Sequence, residues 1–308
     1  MRKPPITSKT KVLGVIGSPI EHSLSPLLHN YILERLGADY SYVAFPVKPE
    51  MALHVGVAFR ALGLSGLNVT LPFKETVVEQ MDNLTEEAQA VGAVNTIGLD
   101  NRGQLKGHNT DVAGFLGAVN LRYEGDLAGR AATVLGAGGA ARAVLYALGL
   151  SGARPVYLVN RTHNRAEELA GWISYVFPEL PVELVSRSDK EAFREAVSNS
   201  YLTVNVTPLG MKPHVNESPL PGGIMPKPGA LVFDTVYNPH ETLLLKTAKA
   251  AGCRPVGGLD MLIIQGVASL AWWLNKEIPL RSIIGPLRKK LLAALEADQA
   301  PAEKNPRK

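Results

Sequence analysis

Cysteine is almost absent from this 308-residue chain: Cys253 stands alone, so no disulfide can form within the chain. Disulfides stabilise proteins of oxidising compartments, and their absence favours a reducing environment. We therefore expect a cytoplasmic location. A single thiol is more often a small apolar packing residue than a nucleophile, and nothing in the sequence around Cys253 suggests activation.

The sequence also lacks a long, uninterrupted apolar run. Its most apolar stretch, residues 131–150, is interrupted by Arg142 and is rich in glycine, which favours a strand, a turn and a helix over a membrane span. Residues 1–10 contain two prolines and no apolar core of a signal peptide. We expect no membrane partner.

Neither sign of charge dominates, because 32 Lys and Arg residues face 28 Asp and Glu residues, for a formal net charge of +4. The basic excess lies largely near the ends of the chain, at Arg2, Lys3, Lys9, Lys11, Arg288, Lys289, Lys290, Lys304, Arg307 and Lys308. No basic stripe is interleaved with aromatic residues as in a nucleic-acid-binding surface. We interpret these residues as solvated tails and expect no nucleic-acid partner.

Metal-ligand spacings are missing as well. The histidines, Cys253 and the carboxylates do not recur at the intervals typical of metal sites, so we expect no bound metal. His22 and His29 are interpreted as structural residues, and Trp272 and Trp273 as packing residues.

What is present is an alternation of short strands and helices. In the first part, strands are predicted at 12–16, 40–47 and 66–70, and a β-hairpin at 93–99 and 104–108. Helices are predicted at 25–36, with Ser25 as the N-cap and Pro26 in the first position, at 50–62, from Pro72 onward and at 111–121. This alternation predicts an α/β domain with a mostly parallel sheet covered on both faces.

A second series follows a polar connection at 122–130. Its strands are predicted near 132–135, 156–159, 182–185, 201–206 and 230–234, and residues 208–229 form a long loop rich in Pro and Gly. Helices at 260–275 and 280–295 close the chain. We predict two domains, 1–121 completed by 258–308 and 122–257, with a cleft between them.

A glycine-rich motif directly follows the apolar strand at 132–135. Gly136, Gly138 and Ala141 match the G-x-G-x-x-A form of the dinucleotide fingerprint, in which the first glycine permits a tight turn and the second lets the backbone approach a diphosphate. The small third residue allows the following helix to pack closely on its strand. The motif predicts a Rossmann-like domain that binds a dinucleotide at the amino terminus of a helix.

The end of the next strand indicates which dinucleotide binds. A site for NAD would place Asp or Glu there to accept from the ribose 2′-hydroxyl, but this chain has Asn160, Arg161, Thr162 and Arg165. Guanidinium groups pair well with phosphate, so the sequence favours NADP. The alternative is that both arginines only solvate the start of a helix.

Four polar clusters stand where strands or turns end in the first domain: 22–26, 68–74, 92–96 and 109–111. In an α/β sheet the carboxyl ends of the strands form the ligand crevice. Singly, each cluster has a simpler interpretation: Ser25 as a helix cap, Asn95 as a turn residue, Asp111 as an N-cap and Lys74 as a surface lysine.

Taken together, and in this order, the motifs resemble the shikimate dehydrogenase family over about residues 10–290. The matching segments are 17–26 with His29 and Asn30, 68–74, 92–96, 109–111, the glycine motif, 160–162, 205–211, 234–239 and 257–265. The resemblance implies a substrate domain and a Rossmann NADP-binding domain, and NADPH-dependent, reversible reduction of 3-dehydroshikimate to shikimate on the route to chorismate and the aromatic amino acids.

The resemblance also implies roles for individual residues. Hydroxyls of Ser23, Ser25 and Tyr237 would bind the substrate carboxylate, and Asn68, Thr70, Asn95, Asp111 and Gln265 would bind the ring oxygens. NADP would be held by Gly136, Ala137, Gly138, Gly139, Ala140, Asn160, Arg161, Thr162, Arg165, Val236 and Gly258.

We predict that Lys74 and Asp111 form the catalytic pair. Negative charge grows on the carbonyl oxygen when hydride reaches the carbonyl carbon, and a lysine ammonium within hydrogen-bond reach stabilises that charge and delivers a proton. Asp111 would orient Lys74 and the substrate. Closure of the two domains would exclude water from the cleft.

Several alternatives stay open from the sequence. One is a relative in the family that acts on quinate or another polyol acid and could use NAD, although the paired Ser23 and Ser25 and the two arginines after Asn160 argue against it. Another is a non-catalytic NADP-binding sensor that keeps the fold. The architecture of folate-metabolising dehydrogenases is related but fits the polar set less well. Gln265, the odd polar residue in an apolar helix, could instead be a buried side chain bonded to backbone. A monomer and a homodimer are both open.

Overall fold

The computed structural model describes residues 4–123 and 125–299, which form two six-stranded sheets that follow one another along the chain. The predicted solvated tails at Arg2, Lys3, Lys304, Arg307 and Lys308 lie outside the described residues. Within the described ranges, no helix is long and apolar enough to cross a membrane.

The first sheet contains the strands up to residue 108, in the order β2-β1-β3-β5-β6-β4. The strands are β1 (Lys11–Gly17), β2 (Tyr40–Pro46), β3 (Gly66–Val69), β4 (Asn83–Leu84), β5 (Thr96–Leu99) and β6 (Leu105–His108). The helices are α1 (Ser25–Leu36), α2 (Val55–Ala61), α3 (Glu86–Val91) and α4 (Asp111–Asn120), with short 3-10 helices at Pro49–His54 and Val78–Gln80.

Five of the six strands of this sheet run in the same direction and only β5 runs against them, which confirms the expectation of a mostly parallel sheet. β1 runs parallel to β2 and β3, whereas β5 runs antiparallel to β3 and β6. The predicted hairpin is the reason, since a short turn can only join antiparallel strands. In that turn the Asp100 carboxylate accepts hydrogen bonds from the backbone N–H groups of Arg102 and Gln104, and Gly103 adopts a positive φ of 75°.

Three helix predictions in this part need correction. Ser25 is the first residue of α1 and not its N-cap: Leu24 takes that place, and its carbonyl accepts from the Leu28 N–H. Pro72 opens no α-helix. In an α-helix the Val78 N–H would donate to the Lys74 carbonyl, four residues earlier. Here the Lys74 carbonyl accepts from the Val94 N–H at 2.8 Å, and the Val78 N–H donates to the Glu75 carbonyl, so this α-helical hydrogen bond does not form. The helix predicted at 50–62 is split into the 3-10 helix Pro49–His54 and α2.

The second sheet is wholly parallel, in the order β12-β11-β10-β7-β8-β9. Its elements are β7 (Ala132–Leu135), α5 (Gly139–Leu150), β8 (Val156–Asn160), α6 (His163–Val176), β9 (Val182–Ser186), α7 (Lys190–Asn199), β10 (Leu202–Asn205), β11 (Leu231–Asp234), α8 (Leu243–Ala250) and β12 (Arg254–Gly257). Helices follow most of the strands, as parallel connections require. The strand β12 was not predicted, and residues 208–229 contain no helix or strand, as expected.

Two helices, α9 (Gly258–Leu274) and α10 (Leu280–Gln299), return to the first sheet. Their apolar side chains pack against those of α1 and β1. Ile263 and Leu270 of α9 and Leu287 of α10 are buried together with Leu28 and Ile32 of α1. α10 is tied to α9 by an ion pair in which Arg288 Nε and Nη2 both donate to Oδ1 of the buried Asp260, at 2.7 and 2.6 Å. The core of the first part therefore includes the end of the described chain.

Candidate active site

Lys74 and Asp111 meet although 37 positions separate them in the chain. Lys74 lies in the turn after β3, and Asp111 is the first residue of α4. The Lys74 Nζ atom lies 2.6 Å from Asp111 Oδ2, and the two side chains are only 14% and 8% exposed. The other carboxylate oxygen accepts from Asn95 Nδ2 at 2.9 Å. An ion pair with little access to water exerts its charge strongly on any group bound beside it.

A buried polar network extends from this pair. Asn95 is 2% exposed, and its amide oxygen accepts from the Thr110 N–H at 2.8 Å and the Thr96 hydroxyl at 2.9 Å. The Asn68 amide donates to the Asn95 carbonyl and to the hydroxyls of Thr96 and Ser269, at 3.0 to 3.1 Å. Because nearly all of its hydrogen-bonding capacity is satisfied, such a network is rigid and fixes where its polar edge points.

Ser23, Ser25 and Tyr237 come together at the start of α1. The Ser25 N–H donates to Ser23 Oγ at 3.3 Å, and Tyr237 is hydrogen-bonded to the backbone of Leu24, between the two serines. Burial raises the pKa of Tyr237, so its hydroxyl stays protonated and remains a donor. Ser25 contacts Tyr42, whose hydroxyl donates to Asn68 at 2.7 Å. Ser25 is thus connected to the network around Asp111 through Tyr42 and Asn68.

Gln265 is linked to the same network through Ser269, and Thr70 follows Asn68 by two positions. Thr70 packs over Gly17, where an added Cβ would lie 2.5 Å from its methyl group. Gln265 is on α9, one turn before Ser269, and its amide donates to the Leu262 carbonyl at 2.8 Å. This is the backbone-bonded arrangement left open above.

The glycine motif forms a tight turn between β7 and α5. Gly136 has a φ of +114°, and a Cβ there would lie 2.8 Å from Thr207. Gly138 is the N-cap of α5, with no other atom within 4 Å of the position of a Cβ. Ala141 is fully buried, as expected for the small third residue. The open amino terminus of this twelve-residue helix fits a diphosphate.

Asn160 ends β8, and Arg161, Thr162 and Arg165 follow it with exposed side chains. The Asn160 amide donates to the Thr162 carbonyl at 2.8 Å, which shapes the turn. Two exposed guanidinium groups beside the glycine turn fit a 2′-phosphate on the adenosine ribose.

Val236 and Gly258 lie at the carboxyl ends of β11 and β12. The Val236 N–H donates to the buried Asp234 carboxylate at 3.0 Å. A Cβ on Gly258 would lie 2.3 Å from the Thr235 carbonyl oxygen, so only glycine permits this close approach of two backbones. Both residues lie at the same edge of the second sheet as the glycine turn, because the strands are parallel.

The first sheet faces this edge. Glu75, next to Lys74, has a carboxylate oxygen 4.0 Å from the position of a Cβ on Gly139. The turn that carries Lys74 therefore lies at the mouth of the glycine turn. The arrangement places a cationic donor and a carboxylate beside a dinucleotide site, which is what reduction of a small carbonyl compound requires.

His29 has the structural role expected of it. It is fully buried, its ring stacks on Tyr42 with centroids 4.0 Å apart, and its Nδ1 lies 2.9 Å from the Ser25 carbonyl oxygen. Burial lowers its pKa to about 4. Trp273 packs over Gly66, and Trp272 packs over Gly98. Cys253 is buried, and burial raises its pKa. Among the described residues, no group of three or more His, Cys, Asp and Glu side chains could hold a metal ion.

Sequence reasoning missed four members of the polar network. Thr96 and Thr110 stand inside the quoted motifs, but only their neighbours were singled out. Ser269 follows Gln265 by four positions, and this helical spacing is a usable signal for a shared face. Tyr42, in the middle of β2, carries no signal, because an aromatic residue in a buried strand is ordinary.

Comparison with known proteins gives matches over nearly the whole chain. Residues 15–97 match the profile of the shikimate dehydrogenase substrate binding domain. A relative from Moorella thermoacetica, shikimate dehydrogenase (NADP(+)), is 42% identical over 290 residues, which are 94% of this chain and 96% of the relative.

Solved structures agree in fold. The crystal structure of shikimate 5-dehydrogenase from Listeria monocytogenes, in complex with shikimate and NAD, has a TM-score of 0.84 at 36% identity and covers 92% of this chain and 99% of its own. Quinate dehydrogenase from Corynebacterium glutamicum, in complex with NAD, has a TM-score of 0.81 at 29% identity, with 92% and 99% coverage.

Proposed function

This chain belongs to the shikimate dehydrogenase family, and from that membership we propose which of its residues carry the family's reaction. The protein is an NADP-dependent oxidoreductase that acts on a CH–OH group and interconverts 3-dehydroshikimate and shikimate. This reaction belongs to the biosynthesis of chorismate and the aromatic amino acids.

We propose that residues 1–121, completed by 258–308, hold the substrate and that residues 122–257 hold NADP. In support, the strands of the first sheet end at residue 108 and those of the second begin at residue 132. α9 packs against both α1 and α4, which supports its assignment to the substrate part. Closure of the cleft between the two parts is kept as a prediction.

The observation that carries the site assignment is the ion pair between Lys74 and Asp111 at the mouth of the glycine turn. When bound, NADPH supplies the hydride that reduces the substrate carbonyl. The Lys74 ammonium then stabilises the growing negative charge on the carbonyl oxygen and transfers a proton to it, and in the reverse direction neutral Lys74 accepts that proton. Asp111 orients the ammonium, while Asn95 holds the carboxylate by its second oxygen.

We propose that Ser23, Ser25 and Tyr237 bind the substrate carboxylate with their hydroxyls. Asn68, Thr70, Asn95, Asp111 and Gln265 bind the ring hydroxyls on the other side. A site built to pair with hydroxyls discriminates strongly against analogues that lack them, because its own buried polar groups would lose their partners.

For NADP, we propose that Gly136, Ala137, Gly138, Gly139 and Ala140 receive the diphosphate. The remaining contacts are assigned to Asn160, Arg161, Thr162 and Arg165 at the 2′-phosphate and to Val236 and Gly258 near the nicotinamide. The space at Gly138 and the two exposed arginines support this assignment.

The experiment that tests these proposals follows NADPH absorbance with purified protein and 3-dehydroshikimate. In the reverse direction, shikimate and quinate are compared with NADP and with NAD. We expect the highest kcat/KM with shikimate and NADP. A preference for quinate would instead favour the activity named for the Corynebacterium relative, and an inactive but NADP-binding protein would favour a sensor.

We propose further that the protein works in the cytoplasm, which the single, unpaired Cys253 supports. It acts as a monomer or a homodimer, and light scattering coupled to size-exclusion chromatography distinguishes the two states.

A further inference from the structure

The carboxyl end of α3 is held by two side chains from the second part of the chain. Trp172 Nε1 donates to the Ala90 carbonyl at 3.0 Å, and Arg142 Nη1 donates to the Val91 carbonyl at 3.4 Å. The Arg142 guanidinium lies over the Trp172 ring, 4.8 Å from its centroid. The last carbonyls of a helix have no partner within it, and a cation there also interacts favourably with the helix dipole.

We call Arg142 and Trp172 together the clamp. The backbone turns sharply just after the two carbonyls that the clamp binds. Gly92 ends α3 with a φ of 68°, and a Cβ on Gly92 would lie 3.2 Å from Arg142 Nη1. The guanidinium therefore lies directly against the backbone of the turn, and both clamp side chains are half-buried. A half-buried cation over an aromatic ring is bound more firmly than an exposed one.

The segment that leaves this turn contacts both residues of the proposed catalytic pair. The Val94 N–H donates to the Lys74 carbonyl at 2.8 Å, and Asn95 Nδ2 donates to Asp111 Oδ1 at 2.9 Å. Residues 90–95 thus connect the clamp to Lys74 through backbone and to Asp111 through a buried amide. A displacement of this segment moves both members of the pair.

The other side of the clamp belongs to the elements proposed to bind NADP. Arg142 lies in the first turn of α5, three positions after Gly139. Trp172 is on α6, whose first turn includes Arg165. The clamp is therefore a direct contact between the helices that carry the cofactor residues and the segment that carries the catalytic pair.

We propose that Arg142 and Trp172 are positioning residues, which set the distance and angle between Lys74, Asp111 and the nicotinamide without touching substrate or cofactor themselves. The proposal rests on the assignment of Lys74 and Asp111 as the catalytic pair. Reactions between bound groups depend steeply on geometry, and a displacement of about 1 Å costs up to roughly 100-fold in rate. The clamp therefore acts on kcat and leaves binding almost unchanged.

The test uses Trp172→Phe, which keeps a ring under Arg142 but removes the N–H donor, and Arg142→Met, which keeps the length of the side chain but removes its charge. We expect each to lower kcat by roughly 5- to 20-fold, with the KM values for shikimate and NADP changed less than about twofold. NADPH deuterated at the transferred position gives a second readout. The isotope effect on kcat rises in both variants, since hydride transfer has become slower relative to product release.

A double variant tests whether the two residues act as one unit. Arg142 and Trp172 contact each other and bind adjacent carbonyls. We therefore expect the kcat of the double variant to be only slightly lower than that of the less active single variant. Arg130→Met and Trp272→Phe are the matched controls: Arg130 lies over Tyr201 at 4.3 Å, at the opposite edge of the second sheet, and Trp272 packs against the His108 ring. Both keep the wild-type kcat and isotope effect.

Other outcomes overturn the proposal. A raised KM for NADP with unchanged kcat means that the clamp shapes only the cofactor site, and a lowered melting temperature with unchanged kcat means that it serves stability alone. A lower kcat with an unchanged isotope effect points to another step. If Arg142→Met does not fold, the milder Trp172→Phe decides. A wild-type protein that fails to reduce 3-dehydroshikimate rejects the proposed function itself, whereas an active wild type with fully active variants rejects only this inference.

Discussion

The Lys74 ammonium lies 2.6 Å from a carboxylate oxygen of Asp111, and this ion pair lies where the first sheet meets the glycine turn of the second. Taken alone, both positions are ordinary, because Lys74 lies in a turn and Asp111 at the start of a helix. Their direct contact joins a donor to the group that orients it, and both side chains are largely buried.

Replacing Lys74 by methionine removes the ammonium and keeps most of the side-chain volume. We expect kcat to fall by about 10²- to 10⁴-fold with a smaller change in the KM for shikimate, since a positioned proton donor acts mainly in the transition state. Steady-state kinetics in both directions measure the changes in kcat and in KM separately. The control Lys48→Met changes an exposed lysine of the same part of the chain and keeps wild-type rates. Full turnover by Lys74→Met would refute the catalytic assignment.

Arg161 and Arg165 are expected to determine the preference for NADP over NAD. Charge-assisted hydrogen bonds are worth about 1.5–3 kcal/mol each, and about 1.4 kcal/mol corresponds to tenfold, so the double substitution by alanine should raise the KM for NADPH by roughly two to four orders of magnitude. The KM for NADH should change little, because that cofactor has no 2′-phosphate. Arg194→Ala, an exposed arginine on α7, is the control. Equal losses with both cofactors would contradict this assignment.

Local signals in the sequence predicted most of the fold. Apolar runs separated by helical patterns give the parallel second sheet, and the turn at residues 100–103 gives the hairpin of β5 and β6. The helix predicted from residue 25 is found as α1, although Leu24 and not Ser25 is its N-cap. Pro72 was wrong as a helix start because a long-range contact overrides local preference: the Val94 N–H takes the carbonyl of Lys74 that a helix would need. Motif order placed Lys74 and Asp111 at the crevice. It could not reveal the hydrogen bond from Asn68 to Ser269, which lies 201 positions away, nor the buried hydroxyl of Tyr42.

His29 should make the folded state sensitive to acid. Burial lowers its pKa to about 4 from the usual 6.5, so below pH 6.5 the unfolded chain binds a proton that the folded protein does not. Stability is therefore present above pH 6.5 and falls as the pH drops toward 4, by at most about 3 kcal/mol from this residue.

Urea unfolding between pH 4.5 and pH 7.5 measures this effect. His29→Phe keeps an aromatic ring on Tyr42 and should flatten the dependence of the unfolding free energy on pH. His108, whose pKa burial also lowers to about 4, accounts for part of the slope that remains. An equally steep slope in His29→Phe would contradict the prediction.

Gly114 controls how closely α4 approaches α9, and these helices carry Asp111 and Gln265. A Cβ on Gly114 would lie 2.8 Å from the Gln265 Cβ and 3.0 Å from the Met261 carbonyl oxygen, so Gly114→Ala must push the helices apart. Overpacking of this kind costs about 1–3 kcal/mol of stability. We also expect a raised KM for shikimate, since Gln265 and Asp111 are both proposed to bind its hydroxyls. Gly171→Ala, on α6 with no atom within 4 Å of the new Cβ, is the matched control and should gain up to about 1 kcal/mol from helix propensity. Denaturant unfolding measures the stability of the two variants, and steady-state kinetics measure their KM for shikimate. A Gly114→Ala protein with wild-type stability and KM would show that the two helices can separate without disturbing the site.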